Sequence, residues 1–123
     1  MVLTETGATA RLVAKYCPSA PVCVLTPSAS VARQCTGFLK NCDAVVLPVA
    51  ATGTATNADA DGRGGQPKVV VGAGPEELFA EAVARYKARG VCRVGDAVVC
   101  VYGALGSVAG ATNTVRVITV SAE

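Results

Sequence analysis

The chain opens on an apolar pair, Val2-Leu3, and turns at once to a polar stretch, TETGATA, at residues 4–10. This pattern predicts a strand end at Val2-Leu3-Thr4, a turn at Gly7 and a helix over 8–16. Leu12, Val13 and Tyr16 are expected on the helix's inner face, with Pro18 as its stop. PVCVLT, residues 21–26, is a continuous apolar run closed by Pro27, which predicts a buried strand. Ser28 or Ser30 can cap a second helix running through Phe38, with Val31 and Cys35 facing inward. DAVVLPV, residues 43–49, predicts a third strand; Pro48 cannot donate to a ladder and marks a strand end or a sheet edge.

The pattern then changes. Residues 50–67 are small, polar and rich in glycine, with no periodicity, and are expected to form a flexible surface insertion. Its NADADG stretch, 57–62, has part of the look of a calcium loop but lacks the closing glutamate. GPEELFAEAVARYKARG, 74–90, is the clearest helix. Pro75 suits the first helical position, Glu76 and Glu77 suit the positive end of the dipole, and Gly90 ends it. Its buried stripe is predicted to be Leu78, Phe79, Ala82, Val83 and Tyr86. Strands follow at 95–103 and 114–120, separated by the glycine-rich GALGSVAG at 103–110. Alternating strands and helices imply a mostly parallel sheet with helices on both faces. With no helix between the last two strands, the fifth is expected to run antiparallel.

Composition narrows the function. The chain has 123 residues, 51% of them hydrophobic and only 16% charged, which suits one globular α/β domain with a valine-rich sheet. A net charge of +2 and the absence of Trp give no footprint for nucleic acid. No apolar run reaches the roughly 18 residues of a membrane span. Cys17, Cys23, Cys35, Cys42, Cys92 and Cys100 show no CxxC spacing and there is no His, so free buried thiols in a reducing cytoplasm are expected rather than a zinc site. No nucleophile has a recognisable base nearby in the sequence, so no catalytic residues are assigned.

The candidate chemistry lies at the start of the first helix. In open parallel sheets ligands bind at the carboxyl ends of strands. A helix start presents unpaired N–H groups and partial positive charge. Thr4, Thr6 and Thr9 offer hydroxyl donors there, and Gly7 lets the backbone approach an anion. The same residues also suit a plain helix cap. TETGATA is neither GxGxxG nor a P-loop, so no dinucleotide or ATP site follows.

The residues 4–34, TETGATARLVAKYCPSAPVCVLTPSASVARQ, resemble the start of the sheet in the C-terminal domain of pyruvate kinases, with its T-x-[ST]-G-x-[ST]-A-R sequence followed by K-Y-x-P and later A-R-Q. The far end is similar too: KARG, then GDAVVCVYG, a glycine-rich loop and TNTVRV. The resemblance covers nearly the whole chain except 50–72. It implies a three-layer α/β/α domain with a five-stranded mixed sheet, the last strand antiparallel. It further implies a regulatory domain, cytoplasmic and allosteric, that binds a sugar phosphate effector and makes subunit contacts in a homotetramer. The parent glycolytic kinase would transfer phosphate from phosphoenolpyruvate to ADP with Mg2+ and K+ in a separate barrel domain, leaving no cofactor and no catalytic residue in this chain.

By position, the resemblance places the effector phosphate on Thr4, Thr6, Gly7 and Thr9, and an effector loop at Gly103, Gly106, Ser107 and Gly110. Ala8 stands where some members have a basic residue, the 103–110 loop has no Arg or Lys, and Leu78 stands where a cation would be wanted. A monophosphorylated effector, or none, is therefore expected rather than a bisphosphate. A structural oligomerisation module without an effector is the alternative. Members of the family usually carry two helices before the first strand, so residues 1–123 are expected to be a fragment of a longer chain.

Overall fold

The computed structural model describes residues 1–47, 74–103 and 112–122. The elements run β1 (Val2–Leu3), α1 (Ala8–Lys15), β2 (Val22–Thr26), α2 (Ala29–Phe38), β3 (Cys42–Val46), α3 (Pro75–Ala88), β4 (Ala97–Gly103) and β5 (Thr112–Thr119). The expected insertion at 50–67, and Pro48 and Val49 at the predicted end of the third strand, lie outside the described residues.

The five strands make one sheet in the order β3-β2-β1-β4-β5. β1 pairs parallel with both β2 and β4, β2 pairs parallel with β3, and β4 pairs antiparallel with β5, as the missing helix between them predicted. Strand alternation assigns the two faces. Val2, Val22 and Val24 form one core cluster with Ala10 of α1 and Cys35 of α2. Leu3, Leu25, Leu47 and Cys100 form the other with Leu78, Phe79 and Ala82 of α3. The result is three layers, with α1 and α2 on one face and α3 on the other.

Local sequence explains the helix boundaries. Ser28 is the α2 cap: its side chain accepts from the Val31 N–H, satisfying one of the orphan donors of the first turn. α3 begins with Pro75, carries Glu76 and Glu77 in its first turn and Arg85 and Lys87 in its last. Its predicted stripe is buried at Leu78, Phe79, Ala82 and Tyr86, while Val83 is only partly covered. α3 is also tied to the sheet by Arg116–Glu76 and by Arg89–Asp43, with the Arg89 guanidinium 5.5 Å from the Tyr86 ring centroid.

α1 corrects the sequence pattern. It buries Ala10 and Ala14, with Val13 partly covered, whereas Leu12 is 63% and Tyr16 82% exposed. The small alanines let the helix backbone come close to the valines of β1 and β2, and that close approach decides which face turns inward. On the same side of the sheet, Val99 of β4 and Val115 and Val117 of β5 are exposed at 50%, 68% and 62%.

Candidate functional site

The strand order places the candidate site. From β1 the chain passes through α1 to β2 on one side, while β4, reached through α3 on the opposite face, flanks β1 on the other. The carboxyl ends of β1 and β4 therefore form a topological switch point, where the connections diverge and leave a crevice. Residues 4–7 leave β1 at that point.

The polar turn is organised by its own threonines. Thr4 continues the β1–β2 pairing, its N–H donating to the Leu25 carbonyl at 2.9 Å. The buried Thr4 Oγ1 accepts from the Gly7 N–H at 3.0 Å, and the exposed Thr6 Oγ1 accepts from the Ala8 N–H at 3.4 Å. Both hydroxyls thus cap the loop through their oxygens, and each keeps a proton to donate. Gly7 has φ +81°, in the left-handed region, and a Cβ built there would lie 3.1 Å from Val31 Cγ1. Glycine meets both demands: it tolerates the dihedral and lets α2 pack closely against the loop.

α1 has no side-chain cap bond, and its first intrahelical bond is from the Arg11 N–H to the Gly7 carbonyl at 3.0 Å. The N–H groups of Thr9 and Ala10 in the first turn are left without an intrahelical partner. Arg11, from the same turn, reaches across toward α2.

The second predicted segment meets the first. Gly103 ends β4 and is registered with Thr112 beside an irregularity at Tyr102/Gly103. The Thr112 hydroxyl in turn lies 2.8 Å from the Thr9 hydroxyl, in hydrogen-bond contact. Thr4, Gly7, Thr9 and Gly103 therefore gather around one end of the sheet, with Thr6 at its outer edge. Gly106, Ser107 and Gly110 lie outside the described residues. Leu78 is in the core of the opposite face.

The other side of the loop borders a groove of about 240 Å³ between α1 and α2. Thr6, Gly7 and Arg11 line one wall; Val31, Gln34 and Phe38 line the other. Arg11 donates to Gln34 Oε1 at 3.4 Å. Burial pushes the Cys35 thiol in the groove's floor up from its ordinary value, with Arg11 offsetting part of the rise, so it stays a neutral thiol rather than a nucleophile. Among the described residues no group of three or more His, Cys, Asp or Glu is placed to hold a metal ion, and no helix is long and apolar enough to cross a membrane.

Thr112, Arg11, Gln34 and Phe38 were given no site role by the sequence reading, although Arg11 and Gln34 lie in the motifs quoted for the resemblance. Thr112 had a signal, since TNTVRV is one of the segments on which the resemblance rests. Arg11 and Gln34 are 23 residues apart in the chain, and only the side-by-side packing of consecutive helices joins them.

Comparison with known proteins agrees with this picture. The family described as "Pyruvate kinase, alpha/beta domain" matches residues 1–118. A pyruvate kinase from Bacillus licheniformis is 31% identical over 114 residues, covering 93% of this chain and 15% of the relative. One from Dictyostelium discoideum is 31% identical over 121 residues, covering 98% of this chain and 19% of the relative. The chain thus spans less than a fifth of the length of either relative. In fold it is similar to the crystal structure of a pyruvate kinase from Cryptosporidium parvum, with a TM-score of 0.66 and 23% identity over 96% of this chain and 18% of that one.

Proposed function

The chain belongs to the pyruvate kinase alpha/beta domain family, and on that premise we propose that it is the regulatory, effector-binding and subunit-contact domain of a pyruvate kinase. The phosphate of a monophosphorylated effector sits on Thr4, Thr6, Gly7 and Thr9. The observation that carries this reading is the contact between Thr9 and Thr112, which joins the loop after β1 to the start of β5 at the switch point. The unpaired N–H groups of Thr9 and Ala10 and the protons of the threonine hydroxyls supply donors for the phosphate oxygens. One phosphate fits this arrangement. Residues 103–110 contain no Lys or Arg and Leu78 is in the core, so a second phosphate lacks the charge-assisted bonds it would need.

Phosphate transfer from phosphoenolpyruvate to ADP, with its Mg2+ and K+, belongs in this reading to a barrel domain of the parent, a cytoplasmic homotetramer. The present chain contributes binding and contact, not chemistry. Calorimetric titration with glucose 6-phosphate, fructose 1,6-bisphosphate, AMP and inorganic phosphate tests the seat. Saturable binding of a monophosphate that is lost in Thr9→Ala is expected. Binding indifferent to that change would remove the seat from residues 4–9.

A purely structural role is the second reading, and one observation favours it. Among the described residues β5 is an edge strand, and it and its neighbour β4 expose Val99, Val115 and Val117; an apolar face beside an edge strand pairs readily with another surface. Sedimentation of the chain with Val115→Lys distinguishes the two. A silent phosphate titration together with self-association abolished by the charge would support the structural role.

A further inference from the structure

The two helical layers of the domain differ in charge. Positions 6–42, which include α1 and α2, hold Arg11, Lys15, Arg33 and Lys40 and no Asp or Glu. All four cations are exposed, and none forms an ion pair among the described residues. The α3 layer is different: there Arg85 pairs with Glu81, Arg89 with Asp43 and Arg116 with Glu76. Cations gathered on one face without counter-charges repel each other and attract carboxylates. We propose that the outer surface of α1 and α2 docks an acidic segment of a partner protein. The segment's carboxylates meet these cations, and one of its apolar side chains enters the groove between the helices.

The apolar groups on this surface support the second half of the proposal. Phe38, at the last position of α2, is 86% exposed, and Leu12 and Tyr16, one turn apart on α1, are 63% and 82% exposed. The groove of about 240 Å³ between the helices is lined by Val31, Cys35, Phe38 and Leu39. That volume is below the roughly 300–1,000 Å³ that encloses a drug-sized molecule, and suits one large side chain. Arg11 crosses the groove to Gln34 Oε1 at 3.4 Å, beyond the roughly 2.7–3.2 Å of a good N–H···O bond. A carboxylate would offer Arg11 a stronger, charge-assisted bond and displace that contact. An apolar trough with charged rims is the pattern by which an amphipathic segment is held in a groove. The concave shape also separates this partner from a membrane: a flat anionic bilayer would meet the cations but leave the groove unfilled. The surface uses none of the hydroxyls of the turn at 4–9, so it does not rest on the phosphate-seat reading.

Fluorescence anisotropy with a labelled octapeptide, glutamates and aspartates around a central Leu-Phe pair, tests the proposal. It is applied to the unmodified chain and to Lys15→Glu, Arg33→Glu, Phe38→Ala and Arg85→Glu. All four side chains are exposed, and circular dichroism checks each fold. Saturable binding is expected, weakened about five- to tenfold by Lys15→Glu or Arg33→Glu and about tenfold by Phe38→Ala. Arg85→Glu changes the net charge equally but on the opposite face, and should leave binding unchanged. Equal losses in Arg85→Glu, or equal binding of an analogue with Ser-Ser at its centre, would reduce the effect to net charge and overturn the proposal. So would absence of binding. Tighter capture by phosphatidylserine vesicles would give the surface to lipid, and a dimer in sedimentation that Arg33→Glu dissociates would give it to a second copy of the chain; either result overturns the proposal.

Discussion

Thr9 and Thr112 are 103 positions apart in the chain, yet their hydroxyls lie 2.8 Å from each other. One belongs to the first turn of α1 and the other begins β5, so the contact joins the two segments that flank the switch point. Thr9→Val and Thr112→Val each remove one hydroxyl and keep the side-chain shape. A double-mutant cycle in urea is expected to give a coupling of about 0.5–1 kcal/mol, the net worth of one neutral hydrogen bond. Strictly additive losses would show that the two hydroxyls do not depend on each other.

Gly7 is the residue the loop can least replace. Alanine there must hold φ +81° and place its Cβ 3.1 Å from Val31 Cγ1. The left-handed backbone alone costs about 1–2 kcal/mol. Gly7→Ala should therefore lower the melting temperature by roughly 4–8 °C or more for a domain of this size. An unchanged melting temperature would mean that the turn relaxes into another conformation.

Much of this architecture was legible in the sequence. Alternating apolar runs and helical stripes gave the element order. The absence of a helix between 103 and 114 gave the antiparallel last pair, since a parallel return needs a crossover. Capping chemistry at Ser28, Pro75 and Gly90 marked helix ends. The inner face of α1 was not legible, because Leu12 and Tyr16 are more hydrophobic than Ala10 and Ala14 and the pattern alone favours burying the larger groups. What decides is the close approach of α1 to the valines of the sheet, a property of the packed layers rather than of the helix. The β3 strand also sits one residue earlier than its apolar run suggested, since Cys42 pairs with Val22.

For the candidate site, the resemblance pointed to residues 4–9 and the sheet topology brought Gly103 to them. The threonines read as phosphate donors turn out to accept hydrogen bonds from their own loop as well, because Thr4 and Thr6 lie three and two residues, respectively, before the N–H groups that need partners. Arg11 and Gln34 fall within motifs of the resemblance, but nothing in the sequence marks that they and Phe38 meet. Their meeting depends on two consecutive helices packing on the same face.

Tyr86 is 1% exposed, and among the described residues its hydroxyl faces only the Cys23 thiol, a weak hydrogen-bonding group. A buried hydroxyl whose partner is only a thiol recovers little of its desolvation cost. Tyr86→Phe removes it without disturbing the ring, so stability is expected to stay level or rise by up to about 1 kcal/mol. A clear loss on denaturant unfolding would reveal a stronger partner for the hydroxyl.

Alkaline pH should weaken the fold. Burial pushes the thiols of Cys23, Cys35, Cys42 and Cys100 and the hydroxyl of Tyr86 up from their ordinary values. Groups whose folded value is raised keep their proton in the folded chain while the unfolded chain gives it up. Their stabilisation is complete below the unfolded values, about 8.5 for Cys and 10 for Tyr, and is lost as pH rises beyond them. The Met1 ammonium, which burial lowers from its ordinary value, adds a gain in stability that is complete by about pH 8 and does not oppose the fall above it. Melting temperatures measured from pH 7 to 10.5 should be level or rise slightly to about pH 8 and then fall. A flat profile to pH 10 would contradict the burial of the thiols.

The central claim is that the turn between β1 and α1 seats a phosphate group, and an amide-resolved NMR titration of the protein with AMP tests it most directly. Saturable shifts concentrated at the N–H groups of Gly7, Ala8, Thr9 and Ala10, and absent in Thr9→Ala, are the predicted result. Shifts confined to other parts of the chain, or none at any concentration, would contradict it and leave TETGATA as a helix cap alone.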